Sequence, residues 1–393
     1  MVKIKMYKAN EGDAFLISFG KDKDINILVD MGLSDTYINH IKKDLISLNN
    51  KTKSIQLLIV THIDKDHIEG AISFLKENGD NSNIIKVEEV WHNSFRHLQF
   101  NKQKVDKIQI EESKALTLIK HQNSNNLKED GITDTSVSEG VTLASLIYEN
   151  KYKWNHMFNN KAICFEEKIN NTIKNVKFIL LSPDHEKLKK LSKKWEDELD
   201  RIFYDFKLSD EVIFDDAFEL YMQNLSDTEV ELKDTSSFND VYDIDKLAMN
   251  EESEYTATNG SSISFIIEYE EKKMLFLADS QSNIIYKNMV KLKNTGYQLI
   301  FDLVKISHHG SNKNTSNKLL SLFDSKRYLI STDGKKNSHP NLEVIAKILK
   351  QKSNHTKEII FNYKHPKLEP FQSLSLKEKY NYEIKVQNEI TID

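Results

Sequence analysis

An apolar run from Ile55 to Val60 ends in four ligand-type side chains: His62, Asp64, Asp66 and His67 lie within six residues. A buried strand holds its own end still while the loop beyond it is free, so side chains placed there are positioned groups. Two uses compete. Such residues cap the next helix and solvate a turn, or they hold an ion. The arrangement recurs twice: MLFLADS ends at Asp279, and DLVKISHHGS ends at His308 and His309. Imidazole and carboxylate together suit Zn²⁺, or Mn²⁺ and Fe²⁺ where oxygens dominate. His62 and Asp64, two apart in an extended loop, can point to one side. Asp66 and His67 open the following helix and point elsewhere. One loop can therefore feed two ions about 3.5–4 Å apart.

Composition removes several alternatives. The one cysteine, Cys164, excludes an intrachain disulfide and a Cys-based zinc site. The formal net charge of −5 provides no global basic footprint for nucleic acid. Neither an apolar leader nor an apolar run of about 18 residues is present. The expectation is a soluble, cytoplasmic protein without a membrane partner.

Short β-rich runs at Ile4 to Tyr7, Ala14 to Phe19, Ile25 to Val29, Gln56 to Val60 and Val87 to Trp91 read as strands. Helices are expected from about Asp35 to Leu48 and Ile68 to Lys76. Later strands are expected at Val176 to Leu181, Ser261 to Tyr269, Lys273 to Leu277, Leu303 to Ile306 and Tyr328 to Ser331, with a last pair near Glu358 to Tyr363 and Tyr382 to Val386. Glu186 to Phe206 has apolar residues at steps of three or four, and its lysines read as a solvated helix face. Asn341 to Lys350 reads as a further helix. Residues 209–254 hold fifteen Asp and Glu against two Lys, a balance that points to a mobile insertion. Strands in both halves with helices between them predict an α/β sandwich, two sheets inside and helices outside.

The motif HxDxDHxxG after an apolar strand, with a later hairpin Asp and a strand ending in His, resembles the metallo-β-lactamase fold. GDAFLISF (12–19), NILVDMG (26–32), NGSSISFIIEY (259–269), MLFLADS (274–280), DLVKISHHGS (302–311) and ISTDGKKNSHP (330–340) resemble, in this order, the hydrolase domain of the DNA-uptake channel protein ComEC and its stand-alone relatives. The resemblance implies one αββα four-layer domain over residues 1–393, with helical and polar insertions at about 95–165 and 185–258. It also implies a metal-dependent hydrolase with two divalent ions, Zn or Mn. His62, Asp64, Asp66 and His67 match the first ligand motif and Asp279 the bridging aspartate. His308 matches the late ligand histidine, with His309 nearly as good a candidate. His339 in Ser338-His339-Pro340 matches the second late histidine, as a ligand or as a hydrogen-bond donor to the leaving oxygen. The fold's usual ligand histidine on a Gly-rich loop is not evident; His92 and His185 are the candidates for its place.

From this set the expected reaction is attack on phosphorus by a water that the metals acidify. Asp64 or Asp66 would accept the proton, and His308, His309 or His339 would stabilise the leaving oxygen. The resemblance favours a nucleic-acid phosphodiester; the negative charge and the acidic insertion favour a smaller one. A catalytically quiet scaffold, meeting a protein partner through the insertions, is the alternative of a different class. Asp13 and Asp30 read as braces for the ligand loop. Asn259 and Ser262 line the site or cap loops. His97, His121, His156, His355 and His365 read as surface residues.

Overall fold

The structure is a computed structural model that describes residues 1–98, 107–129, 141–167, 172–202, 209, 211–228, 243–336 and 338–393. It is a mixed α/β protein with several sheets and many helices, consistent with a metallo-β-lactamase-like α/β sandwich. The chain divides into two compact units, one of residues 1–24, 164–184 and 231–393, the other of 25–163 and 185–230.

In the second unit the strands Ile25–Met31, Leu57–Ile59 and Val90–Trp91 run parallel. All three are fully buried, as strands covered on both faces are. Helix Lys65–Asn78 packs on the first of them. Parallel neighbours end on the same side, so Asp30, His62 and His92 all emerge at one edge.

The other unit carries an eight-stranded sheet. Its order is Tyr382–Val386, Lys357–Phe361, Arg327–Ile330, Leu303–Lys305, Lys272–Phe276, Ser264–Tyr269, Val176–Ser182 and Thr172–Ile173. The first five are parallel and the rest antiparallel. The parallel strands Lys272–Phe276, Leu303–Lys305 and Arg327–Ile330 therefore deliver Asp279, the His308-His309 pair and the His339 loop from the same edge. Leu275, Val304, Tyr328 and Ile359 build the core beneath. In the same unit, Val2–Met6 pairs antiparallel with Ala14–Phe19 and with Glu389–Ile392. That last strand was not expected from the sequence, nor was helix Ser282–Asn294.

The acidic segment corrects the expectation of a mobile insertion. Val212–Thr228 is a helix whose Phe214, Phe218 and Met222 are buried, and Ile244–Met249 is another; residues 229–242 lie outside the described set. Three acids of the first helix, Asp215, Asp216 and Glu219, are buried and partnered. Asp215 accepts from the Arg96 backbone N–H and Nε at 2.8 Å each, and Asp216 accepts from Lys120 Nζ at 2.7 Å. Burial pushes the Asp215 carboxyl up to about 6 even with Arg96 opposing it. Composition counts charges without regard to direction, so a buried, paired acid reads in sequence as a solvated one. Among the described residues no helix is long and apolar enough to cross a membrane.

Candidate functional site

The ligand-type residues form two groups, one in each unit. In the first, Asp64 occupies the N-cap position of helix Lys65–Asn78, yet its side chain makes no capping bond. The helix-cap explanation of this motif therefore fails for Asp64. His62 Nε2 lies 3.4 Å from Asp64 Oδ2, and His67 Nε2 lies 3.8 Å from Asp66 Oδ2. The two imidazoles are 4.2 Å apart between centroids and buried. Asp64 Oδ1 is also buried and has no hydrogen-bond partner among the described residues.

Asp30 organises this group. Its Oδ2 lies 2.8 Å from His67 Nδ1 and accepts from the Thr61 hydroxyl, also at 2.8 Å; its Oδ1 accepts from the Thr61 N–H at 2.8 Å. One carboxylate thus pins the loop that bears His62 and orients the His67 ring so that Nε2 is turned to the Asp66 side. A carboxylate behind an imidazole is the usual support for a metal-binding histidine. The brace assigned to Asp30 from sequence is where the structure puts it.

The second group surrounds Asp279. Its Oδ2 lies 3.7 Å from His308 Nε2 and 3.4 Å from His309 Nε2. Asn314 faces His308 Nδ1 at 3.0 Å and donates to the Asp279 carbonyl, tying loop to strand end. The carbonyl of Ser331 lies 2.9 Å from His309 Nδ1. His308 and His309 both hold positive φ, of 46° and 53°. That conformation costs a non-glycine residue about 1–3 kcal/mol and collects at functional sites. Gly310 follows at φ 85°, and a Cβ there would meet Pro340 at 2.9 Å. The close approach brings the His339 loop alongside, with the His339 ring 5.2 Å from that of His308. Both ring nitrogens of His339 are buried and lack hydrogen-bond partners among the described residues.

Two electrostatic effects divide these histidines. Burial lowers the proton affinity of His309, but Asp279 and Asp13 outweigh it and hold the ring well above the ordinary range. His339 is held well below it by burial, then by His308 and His309. Lys305 was not among the residues expected from sequence. It is buried, forms an ion pair with Asp13, and lies 3.8 Å from Asp279 Oδ1. The available signal was a lysine inside the otherwise apolar DLVKI run.

His92 emerges at the expected strand end, but both ring nitrogens are engaged elsewhere. Nδ1 lies 3.3 Å from the Val60 carbonyl, and Nε2 lies 3.1 Å from Glu219 of the inward-facing acidic helix. Glu219 also accepts from the Ala144 N–H at 3.2 Å. His92 thus links the insertion to the base of the ligand loop. Glu219→Ala strands two buried groups and is expected to destabilise the fold by roughly 2–4 kcal/mol. Urea unfolding would register the loss, while metal content per chain should stay the same. A fall in metal content in the folded variant would return His92 to the ligand set.

His185 opens the helix His185–Ile202. Asn259 donates to Glu254, and the Ser262 carbonyl accepts from Ser280. His97 and His365, expected at the surface, are buried; their polar neighbours in sequence gave no hint of it. His97 accepts from the Ser94 N–H at 3.1 Å.

Residues 8–145, about a third of the chain, match the family model of the Metallo-beta-lactamase superfamily. With the mixed α/β architecture, this supports a metallo-β-lactamase superfamily fold. The superfamily consists mostly of metal-dependent hydrolases and typically binds divalent metals such as zinc. The ComEC-like branch is not distinguished by the match. Among solved structures, the metallo-beta-lactamase fold protein YhfI from Bacillus subtilis aligns over 100% of both chains at 8% identity, with a TM-score of 0.35. A mutant form of the beta-hydroxylase CmlA aligns at 11% identity over 99% of this chain and 53% of its own, with a TM-score of 0.38. A protein of unknown function from Enterococcus faecalis V583 aligns at 10% identity over 98% of this chain and 77% of its own, with a TM-score of 0.29. Curated proteins gave no match.

Proposed function

We propose that this protein is a metal-dependent hydrolase of phosphodiester bonds, with nucleic acid as the first-ranked substrate. The observation that carries the reading is the Asp30–His67 arrangement. A buried imidazole held from behind by a carboxylate, beside His62, Asp64 and Asp66, has the donor chemistry of a divalent-metal ligand. His62, Asp64, Asp66 and His67 in one group, and Asp279 and His308 in the other, are the residues assigned to hold metal. Bound metal supplies positive charge that polarises a phosphoryl group and acidifies water.

The chain's own residues do the rest. Asp64 or Asp66 takes the proton from the attacking water. His309, whose charged form Asp279 and Asp13 favour, donates a hydrogen bond to the leaving oxygen. Asp30 keeps the His67 tautomer and ring direction constant through turnover. The similarity of the late HHGS and SHP segments to ComEC-type hydrolase domains supports a phosphodiester over other esters.

One observation favours a smaller substrate: the net charge of −5 offers no broad basic surface. The described acidic helix weakens that case, because Asp215, Asp216 and Glu219 are spent internally. The test is metal analysis of the purified chain, then a panel of linear and circular DNA, RNA, cyclic nucleotides and phosphocholine esters with Zn²⁺ or Mn²⁺. Chelation is expected to abolish turnover and readdition to restore it. Metal-free, folded, inactive protein that gains nothing from either ion would overturn the assignment. A steep fall of binding with salt marks the nucleic-acid substrate; a flat response marks the small one.

A further inference from the structure

Asn314 closes the turn Asn312–Asn314 beside the His308-His309 pair, and it is completely buried. We infer that it is a positioning residue: its side-chain amide fixes the His308 tautomer that presents Nε2 to a divalent ion. The statement rests on the reading of this group as a metal site.

The partners of the amide allow one orientation. Two backbone carbonyls face its Nδ2, that of Asp279 at 3.0 Å and that of Ser280 at 3.3 Å. A carbonyl oxygen only accepts, so both require the NH₂ end of the amide. Turning the amide over would set its oxygen against two carbonyl oxygens. What remains for His308 is Asn314 Oδ1, 3.0 Å from Nδ1. That oxygen also only accepts, so Nδ1 carries the proton. A neutral imidazole holds one N–H and one lone pair, which places the lone pair on Nε2. Nε2 is the ring atom on the Asp279 side, 3.7 Å from Oδ2. The two atoms are too far apart for a hydrogen bond, and their chemistry is that of two ligands to one ion.

The orientation holds because the turn is fixed on both sides of Asn314. Lys347, buried in the helix Leu342–Lys350, donates to Asn312 Oδ1 at 2.7 Å and to the Thr315 carbonyl at 2.9 Å. The Asn312 N–H donates to Asn341 Oδ1 at 2.8 Å. Without the acceptor at Asn314, the tautomer with its proton on Nε2 becomes available, and a protonated nitrogen cannot bind an ion.

The test begins on the full wild-type chain in chelator, at about pH 8.5, above the ordinary imidazole range. Nitrogen-15 spectra of histidine-labelled protein distinguish a protonated ring nitrogen from a bare one, and His308→Gln identifies the His308 signals by their loss. Expected are a proton on Nδ1 and a bare Nε2. A proton on Nε2 would overturn the inference without any variant at Asn314. Zn²⁺ is then titrated while the same signals are followed, with a metal-binding dye as competitor. In Asn314→Leu, the Zn²⁺ that moves the His308 signals is expected to bind about 10- to 100-fold more weakly. Asn314→Asp keeps an acceptor for Nδ1 and loses both bonds to the carbonyls. It should retain the tautomer and most of the affinity, at a cost in stability that a melting curve reads. Equal losses of affinity in both folded variants would make Asn314 a loop tie and nothing more. The two readings fail separately. A wild-type chain with the expected tautomer whose His308 signals ignore Zn²⁺ removes the metal assignment alone. Zn²⁺ binding at His308 that is unchanged in Asn314→Leu removes the role of Asn314 alone.

Discussion

Replacing Asp66 and His67 together with alanine is expected to abolish metal-dependent turnover and to lower metal content, with the fold retained. Asp66 is about a quarter exposed at its side chain and lies in the first turn of its helix, so its loss removes little packing. His67 is fully buried, and its removal leaves Asp30 without one of three partners. Some loss of stability will accompany the chemical effect, and a melting curve must be run beside the assay. A separate variant isolates the chemistry. Asp30→Asn keeps shape and tolerates the φ of 52° at that position. Its amide cannot accept at both oxygens. Whichever way it turns, an N–H replaces an acceptor that the Thr61 amide, the Thr61 hydroxyl or His67 Nδ1 uses. With the N–H at the Oδ2 place the His67 ring loses its fixed tautomer, and with it at the Oδ1 place the Thr61 amide loses its acceptor and the loop bearing His62 is released; either way metal affinity is expected to fall about 10- to 100-fold. Competition with a metal-binding dye measures the change. Unaltered affinity in Asp30→Asn, with full activity in the double variant, would remove the first motif from the site.

Gly70→Ala should be the most damaging single methyl in the ligand region. A Cβ on Gly70 would stand 2.1 Å from the Met31 carbonyl oxygen and 2.7 Å from its carbon. Both are backbone atoms of a buried strand end, so no side chain can rotate away. The Gly70 N–H meanwhile donates to the Gly32 carbonyl at 2.8 Å, locking helix to turn at the same place. Alanine's helix propensity recovers about 1 kcal/mol. Displacing the helix costs more, and a net loss of about 3 kcal/mol is expected. His67 lies one turn before Gly70 on this helix, so metal affinity should fall with stability. Urea unfolding and metal content measure the two effects. A wild-type midpoint would show that the helix shifts without penalty and that the glycine does not position the motif.

The strands were legible because they are short, rich in apolar and β-branched residues, and bounded by turn residues. Ala14–Phe19 and Tyr382–Val386 have the bounds read from sequence. Helix Lys65–Asn78 begins three residues before its apolar stripe, at the ligand motif itself. Glu389–Ile392 was missed because it is short, and its one buried face is set by a pairing with Val2–Met6, far away in the chain.

By itself, the sequence determined which residue types stand at strand ends: imidazoles and carboxylates at 62–67, 279 and 308–309, at the edge where parallel strands stop. That much follows from local pattern, because a strand's end and the side chains beyond it are neighbours in the chain. Only the tertiary structure decided what those side chains face. It turned Asp30 toward His67, gave His92 to Glu219, buried Lys305 beside Asp13, and packed the His365 ring against that of Phe361. Each pairing joins residues far apart in the chain or sets a ring's direction by packing. A hydrogen bond depends on angle and distance, and neither is written in the order of residues.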